Sequence, residues 1–187
     1  IPVERLIRLA EDTGLIYPLG ERVLLSACTQ AKQWQESGQP VPRVAVNVSA
    51  KQFRDPSLIE RVTGALNASR LAPEHLEIEV TESSVMADLE VASRVLAALA
   101  GLGVHLTLDD FGTGHSSLAY LQRFPIGSLK IDRSFVADIE SDRSRAQLAH
   151  AVITLGHSLG LRVVAEGVER RAQLRFLQDR RCDEMQG

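Results

Sequence analysis

The chain lacks most of what marks secreted, zinc-knuckle or membrane-spanning proteins. Only two cysteines occur, Cys28 and Cys182, far apart and without CxxC spacing. This argues against a disulfide framework or a zinc knuckle and fits a reducing compartment. The longest apolar run, Val95 to Leu108, is interrupted by Gly101, Gly103 and His105 and is too short to cross a bilayer, and no signal-like segment opens the chain. A field of one charge is also missing. The 21 basic and 24 acidic residues leave a formal charge of −3, which excludes the global basic surface that binds nucleic acid polymer, so an anionic ligand must be met locally. Lysine is scarce: Lys32, Lys51 and Lys130 are the only three, and Lys130 alone sits in a strand-like apolar run. The sequence opens at Ile1-Pro2 without Met and stops at Gln186-Gly187. It therefore reads as one domain over 1–187, truncated at both ends, from a longer cytoplasmic protein.

At 187 residues and 44% apolar composition the chain can bury a substantial core. Apolar spacing predicts helices near 3–12, 20–36, 57–69, 89–100, 116–123, 143–159 and 170–179. Asp55-Pro56 and Asp88 read as helix starts, and Gly38, Gly101 and Gly160 as stops. Between them lie strand-like runs at 44–48, 76–81, 104–109, 128–131, 161–166 and 181–186. Strands alternating with helices imply parallel pairing through right-handed crossovers, hence an α/β domain. Six units are visible, and a (β/α)₈ TIM-like barrel needs eight strands in typically about 250 residues. The chain thus reads as an incomplete barrel, with an open doubly wound sheet as the alternative.

Side chains alternate between strand faces, so parity follows from the numbering. Branched apolar residues such as Val46 and Val48, Ile78 and Val80, or Leu106 and Leu108 suit the helix layer. The opposite face would then carry Asn47, Glu79, Asp109, Lys130 and Glu166, each near the C-terminal end of its strand, where barrel active sites are built. Asp110 has the other parity, but the strand ends there and a turn at Gly112 could swing it back. Such inward polar groups can simply pair with each other around Lys130. Three buried acids, an amide and a lysine at one rim are nevertheless costly without a cation. Ligands that are all oxygen select Mg²⁺ or Mn²⁺ over zinc, and their number suits two ions sharing Asp109. Paired ions of this kind serve in-line phosphoryl displacement, which points to metal-dependent hydrolysis of a phosphate ester. His75, His150 and His157 show no paired spacing and read as surface or packing residues, and 82–84 and 142–145 as solvated loops or helix starts, Glu82 apart.

The segments AEDTGLI (10–16), VNVSAKQF (46–53), LEIEVTES (76–83), LDDFGTGHSSLAYL (108–121), LKIDRSF (129–135), VVAEGVE (163–169) and the terminal QG run in an order that resembles the EAL family of cyclic di-GMP phosphodiesterases. The resemblance implies a modified (β/α)₈ barrel that opens cyclic di-GMP to linear 5′-pGpG in bacterial signalling. It also implies that Asn47, Glu79, Asp109, Asp110 and Glu166 hold two Mg²⁺ or Mn²⁺ ions, that Lys130 orients the attacking water, and that Ca²⁺ inhibits. Gln186 would lie near the site, Asp132 and Glu169 at supporting positions. Glu82 would prop the loop after the Asp-Asp strand, residues 110–117, which couples to homodimerisation. Covalently linked sensory or diguanylate cyclase (GGDEF) domains are further implied partners. Two features depart from the pattern. The Glu-Ala-Leu motif of the family's first strand, with its metal-ligating Glu and nearby Arg, does not occur in 1–187, and His115 stands where the family usually has Tyr. A catalytically inactive cyclic di-GMP receptor or regulatory module is the alternative function. A Mg²⁺-dependent lyase of enolase type would share the acids and lysine but not the loop sequence.

Overall fold

The computed structural model describes residues 2–40, 43–112 and 118–187, and the side chains of Glu4, Leu118 and Ala119 are not described. In chain order the elements are α1 (Val3–Thr13), α2 (Ile16–Glu36), β1 (Val44–Val48), α3 (Ala50–Phe53), α4 (Leu58–Ser69), a 3₁₀ turn (Pro73–His75), β2 (Leu76–Thr81), α5 (Glu82–Met86) and α6 (Leu89–Gly101). They continue with β3 (His105–Phe111), α7 (Leu118–Leu121), β4 (Ser128–Ile131), α8 (Arg133–Val136), α9 (Arg143–Ser158), β5 (Arg162–Ala165), α10 (Arg171–Asp179) and β6 (Glu184–Met185). Strand order in the sheet is β1-β2-β3-β4-β5-β6, and each described register is parallel. A doubly wound sheet reverses its order at a switch point. Sequential order does not, so the architecture is that of an incomplete (β/α)₈ barrel.

Two compact units make up the chain. In the first (Ile1–Val80 and Glu90–Leu106) α2 packs on α4 and β1. Leu24, Cys28 and Ala31 of α2, Val62 of α4, Val46 and Val48 of β1, Leu76, Ile78 and Val80 of β2, and Leu96 and Leu99 of α6 are all buried. Each large apolar side chain taken out of water contributes about 1.5–3 kcal/mol. In the second unit (Thr81–Leu89 and Thr107–Gly187) α9 lies on β4 and β5, burying Leu129, Ile131, Val163, Ala165, Ala149 and Ile153.

Local chemistry explains where the expected boundaries held and where they moved. Asp142 caps α9, its Oδ1 accepting the amides of Ser144 and Arg145 at 2.8 and 3.3 Å. Asp55 does not cap α4: its Oδ1 takes the Ser57 amide at 3.0 Å and hydroxyl at 2.8 Å, closing a turn that delays the helix to Leu58. Helix α2 starts at Ile16 rather than 20, because Pro18 falls within the first turn, where no intrahelical amide is needed. Three short helices fall outside the predicted segments. One of them, α3, is announced by a Ser49-x-x-Gln52 capping box, with Ser49 N to Gln52 Oε1 at 3.2 Å and Gln52 N to Ser49 Oγ at 3.4 Å. The last strand is shorter than 181–186, since Arg181 sits at φ 59 outside the extended region.

Both cysteines are buried free thiols. Burial raises the Cys28 pKa, and burial together with the Asp183 charge pushes Cys182 up to about 11. The thiolate is the nucleophile. Iodoacetamide at pH 8 is therefore expected to leave the native protein unlabelled over an hour and to label both cysteines in urea; rapid native labelling would contradict this burial.

Candidate active site

Most of the candidate residues lie in the second unit. Lys130, on β4, is 5% exposed and Asp109, on β3, is 8% exposed. The Lys130 ammonium sits 2.6 Å from Glu166 Oε1 and 3.6 Å from Asp109 Oδ2. Glu166 follows β5 directly, its amide donating to the Ile131 carbonyl at 3.3 Å, which ties it to the end of β4. Gln186 Nε2 donates to the same Glu166 oxygen at 2.8 Å. A buried ammonium or carboxylate is strongly disfavoured unless paired, so these side chains are fixed by one another.

Asp110 joins the cluster through its backbone. Strand β3 does not end at Asp109 but runs to Phe111, with the β3–β4 register shifting between Leu108 and Phe111. At that irregularity Asp110 occupies the left-handed region, φ 55. This places a non-glycine residue in a sparsely populated conformation, as bulges beside active sites often do. The turn invoked at Gly112 is thus not what brings Asp110 round; the residue's own backbone does.

The carboxyls are electrostatically crowded. Burial raises the Asp109 pKa, with Lys130 opposing and Glu166 adding to the rise. For Asp110, burial, the charges of Asp109 and Asp132, a hydrogen bond to Asp132 and the charge of Glu166 push the pKa up to about 6. Burial acts upward on Asp132 too, but hydrogen bonds from Ser134 and Asp110, with the Arg133 charge, outweigh it and hold that acid below its ordinary value. A protonated Asp110 thus donates to an ionised Asp132. Asp132 Oδ1 also caps α8 through the Ser134 amide at 2.9 Å.

Glu82 is 1% exposed at the start of α5, and its Oε2 accepts the Gly112 amide at 2.8 Å. Residues 82–84 open α5, in keeping with a helix start, but Ser84 is buried rather than solvated. Gly112 has φ 99, and a Cβ there would lie 3.0 Å from the Phe135 ring. Residues 113–117, including His115, lie outside the described residues, as does most of the 110–117 loop assigned to dimer coupling. In the first unit Asn47 and Glu79 are register partners across β1–β2, Glu79 buried and Asn47 exposed.

Glu169 stands apart from the cluster. It is exposed, its amide bonds Gln173 Oε1 at 2.9 Å, and it lines a cavity of about 650 Å³ with Asp132, Arg133, Gly167 and Arg170. Arg133 and Arg170 went unnoticed at the sequence level, because isolated arginines in helix-start positions carry no signal. His157 is on the surface, as expected, and bonds Asp183 there at 2.9 Å.

Among the described residues no group of three or more His, Cys, Asp or Glu side chains is arranged to hold a metal ion. The donor chemistry suits a hard divalent cation all the same: Asp109, Asp110 and Glu166 offer only oxygen, and burial first, with neighbouring carboxylates adding to it, raises the Asp109 and Asp110 pKa values, a cost of ionisation that a cation would offset.

Sequential parallel strands with carboxylates and a lysine at their C-terminal ends define a barrel domain of the kind that places its active site there. The EAL domain family model matches residues 1–187, and the chain belongs to that family. Among curated proteins it is 46% identical over 186 residues to the signaling protein YkoW of Bacillus subtilis, covering 100% of the chain and 23% of the relative. It is 45% identical over 179 residues to MucR of Pseudomonas aeruginosa, named a bifunctional diguanylate cyclase/cyclic di-GMP phosphodiesterase, covering 96% and 26%. The chain thus spans about a quarter of these relatives' length. The solved PaMucR phosphodiesterase in complex with c-di-GMP superposes with a TM-score of 0.98 at 44% identity, over 100% of this chain and 76% of that one.

The sign of the Asp110 shift is testable. A folded pKa above the unfolded value near 3.8 means that the folded state holds the extra proton, so this group's contribution to stability falls as pH rises from about 4 to about 6. With EDTA present, carbon-13 NMR is expected to show the Asp110 carboxyl titrating near pH 6; a midpoint near 4 would contradict the crowding.

Proposed function

We propose that residues 1–187 act as one EAL-type barrel domain, part of a phosphodiesterase that hydrolyses cyclic di-GMP to linear 5′-pGpG. The observation that carries this reading is the Lys130 ammonium held between Glu166 and Asp109 beside the crowded Asp110, in a chain of this family. Asp109, Asp110 and Glu166, with Asn47 and Glu79, are the oxygen ligands for two Mg²⁺ or Mn²⁺ ions. When bound, such ions supply positive charge to the phosphate oxygens and acidify the attacking water. Lys130, already aimed at Glu166 and Asp109, orients that water by donating to it. Gln186 keeps Glu166 in place by donating to Oε1. Asp132 accepts a hydrogen bond from Asp110 when no cation holds the Asp110 carboxyl ionised. Glu82 fixes the start of the loop after β3 through Gly112, and that loop carries homodimerisation in this reading. Asp132 and Glu169, in supporting roles, line the cavity that also holds Arg133 and Arg170.

No helix of the described residues is long and apolar enough to cross a membrane. The two buried free cysteines support a cytoplasmic, reducing setting for the domain. The relatives' greater length supports its linkage to sensory or diguanylate cyclase modules in the parent protein.

Full-length protein incubated with cyclic di-GMP and Mg²⁺ tests the reading. Linear product is expected, and Asp109→Asn should cut turnover at least a thousandfold, about 4 kcal/mol of transition-state stabilisation, with an unchanged circular dichroism spectrum. Ca²⁺ should inhibit, since its looser coordination misplaces the nucleophile. Tight binding without product would mark a receptor instead, and wild-type turnover in Asp109→Asn would overturn the assignment.

A further inference from the structure

One hydrogen-bonded pair in the second unit plays no part in the acid–lysine cluster. His157 Nε2, in the last turn of α9, lies 2.9 Å from Asp183 Oδ2, and the same oxygen accepts the Val163 amide at 2.8 Å. The Asp183 amide in turn donates to the Val163 carbonyl at 3.1 Å. Asp183 therefore grips one β5 residue by both of its backbone groups while α9 holds the carboxylate from the other side. Arg162 is the remaining charged neighbour, itself paired with Glu184.

The consequence is a register. Glu184 stands opposite Val164, Met185 opposite Ala165, and the Gln186 amide donates to the Ala165 carbonyl at 2.9 Å. The Val168 amide then donates to the Gln186 carbonyl at 3.1 Å, and Gly187 passes so close that a Cβ would lie 2.3 Å from Val168 N. In this register Gln186 Nε2 reaches Glu166 Oε1 at 2.8 Å. With two residues in β6 the ladder alone specifies little, and a slip of one residue would turn the Gln186 side chain to the opposite face.

We propose that Asp183 is a positioning residue: gripped by His157 and the Val163 amide, it sets the β5–β6 register that delivers the Gln186 amide to Glu166. Its kinetic consequence rests on the phosphodiesterase reading, whereas its structural consequence does not.

Nitrogen-15 NMR of the full-length protein tests it. The Gln186 side-chain amide is expected to be protected from solvent exchange in the wild type, to exchange at least tenfold faster in Asp183→Ala, and to recover in Asp183→Asn, which keeps an acceptor oxygen for Val163. His157→Ala, which removes one of the two bonds and leaves the ladder, gives a milder loss and serves if Asp183→Ala does not fold. With cyclic di-GMP, Asp183→Ala should raise the half-saturating Mg²⁺ concentration about tenfold, as loss of an outer support of a ligand does. Asp183→Ala/Gln186→Ala should be no worse than Gln186→Ala alone. Full Gln186 protection in both Asp183→Ala and His157→Ala, or additive kinetic effects, would overturn the proposal. A wild type without turnover would sink the phosphodiesterase reading while the amide measurement still decides the role of Asp183.

Discussion

The contact on which the site depends is that of a buried ammonium with two carboxylates, Lys130 against Glu166 and Asp109. Burying one charge alone is prohibitive, and burying three with a net negative remainder is tolerable only if the excess is spread, protonated or met by a cation. The protein uses the first two means visibly. Gln186 donates into Glu166, and Asp110 is pushed to a pKa of about 6, its protonated form donating a hydrogen bond to Asp132. Burial, the main cause of the raised Asp109 and Asp110 pKa values, penalises their ionised forms, and a divalent cation would offset that penalty.

Strand geometry alone does not assemble the cluster. Parallel β4 and β5 bring Lys130 and Glu166 to the same end, but Asp110 enters only because β3 breaks register and takes a left-handed residue there. Two residues later Gly112 has a positive φ of its own and hands its amide to the buried Glu82. The Asp-Asp pair is thus held from both sides, by β4 and by α5. At the far edge of this unit, Asp183 and Gly187 do comparable work on the terminal segment.

Most of the architecture was legible because the hydrophobic pattern changes period cleanly between strands and helices. Parity alone selected Asn47, Glu79, Asp109, Lys130 and Glu166, since a strand residue's face follows from counting. Counting failed at Asp110, where an irregularity reverses the parity and leaves no trace in composition. It also missed α3 and α8, which are too short to show a period, although the Ser49-x-x-Gln52 box and the Asp132 cap were there to be read. The role of His157 was hidden for another reason. Its partner Asp183 is 26 residues away, and no local pattern links a helix end to a later strand.

These carboxylates are proposed as a site for hard cations. Anomalous scattering from crystals of the full-length protein grown with Mn²⁺ tests it most directly. Two manganese peaks are expected within coordinating distance of the Asp109, Asp110 and Glu166 oxygens. Manganese absent from all three at millimolar concentration would contradict it.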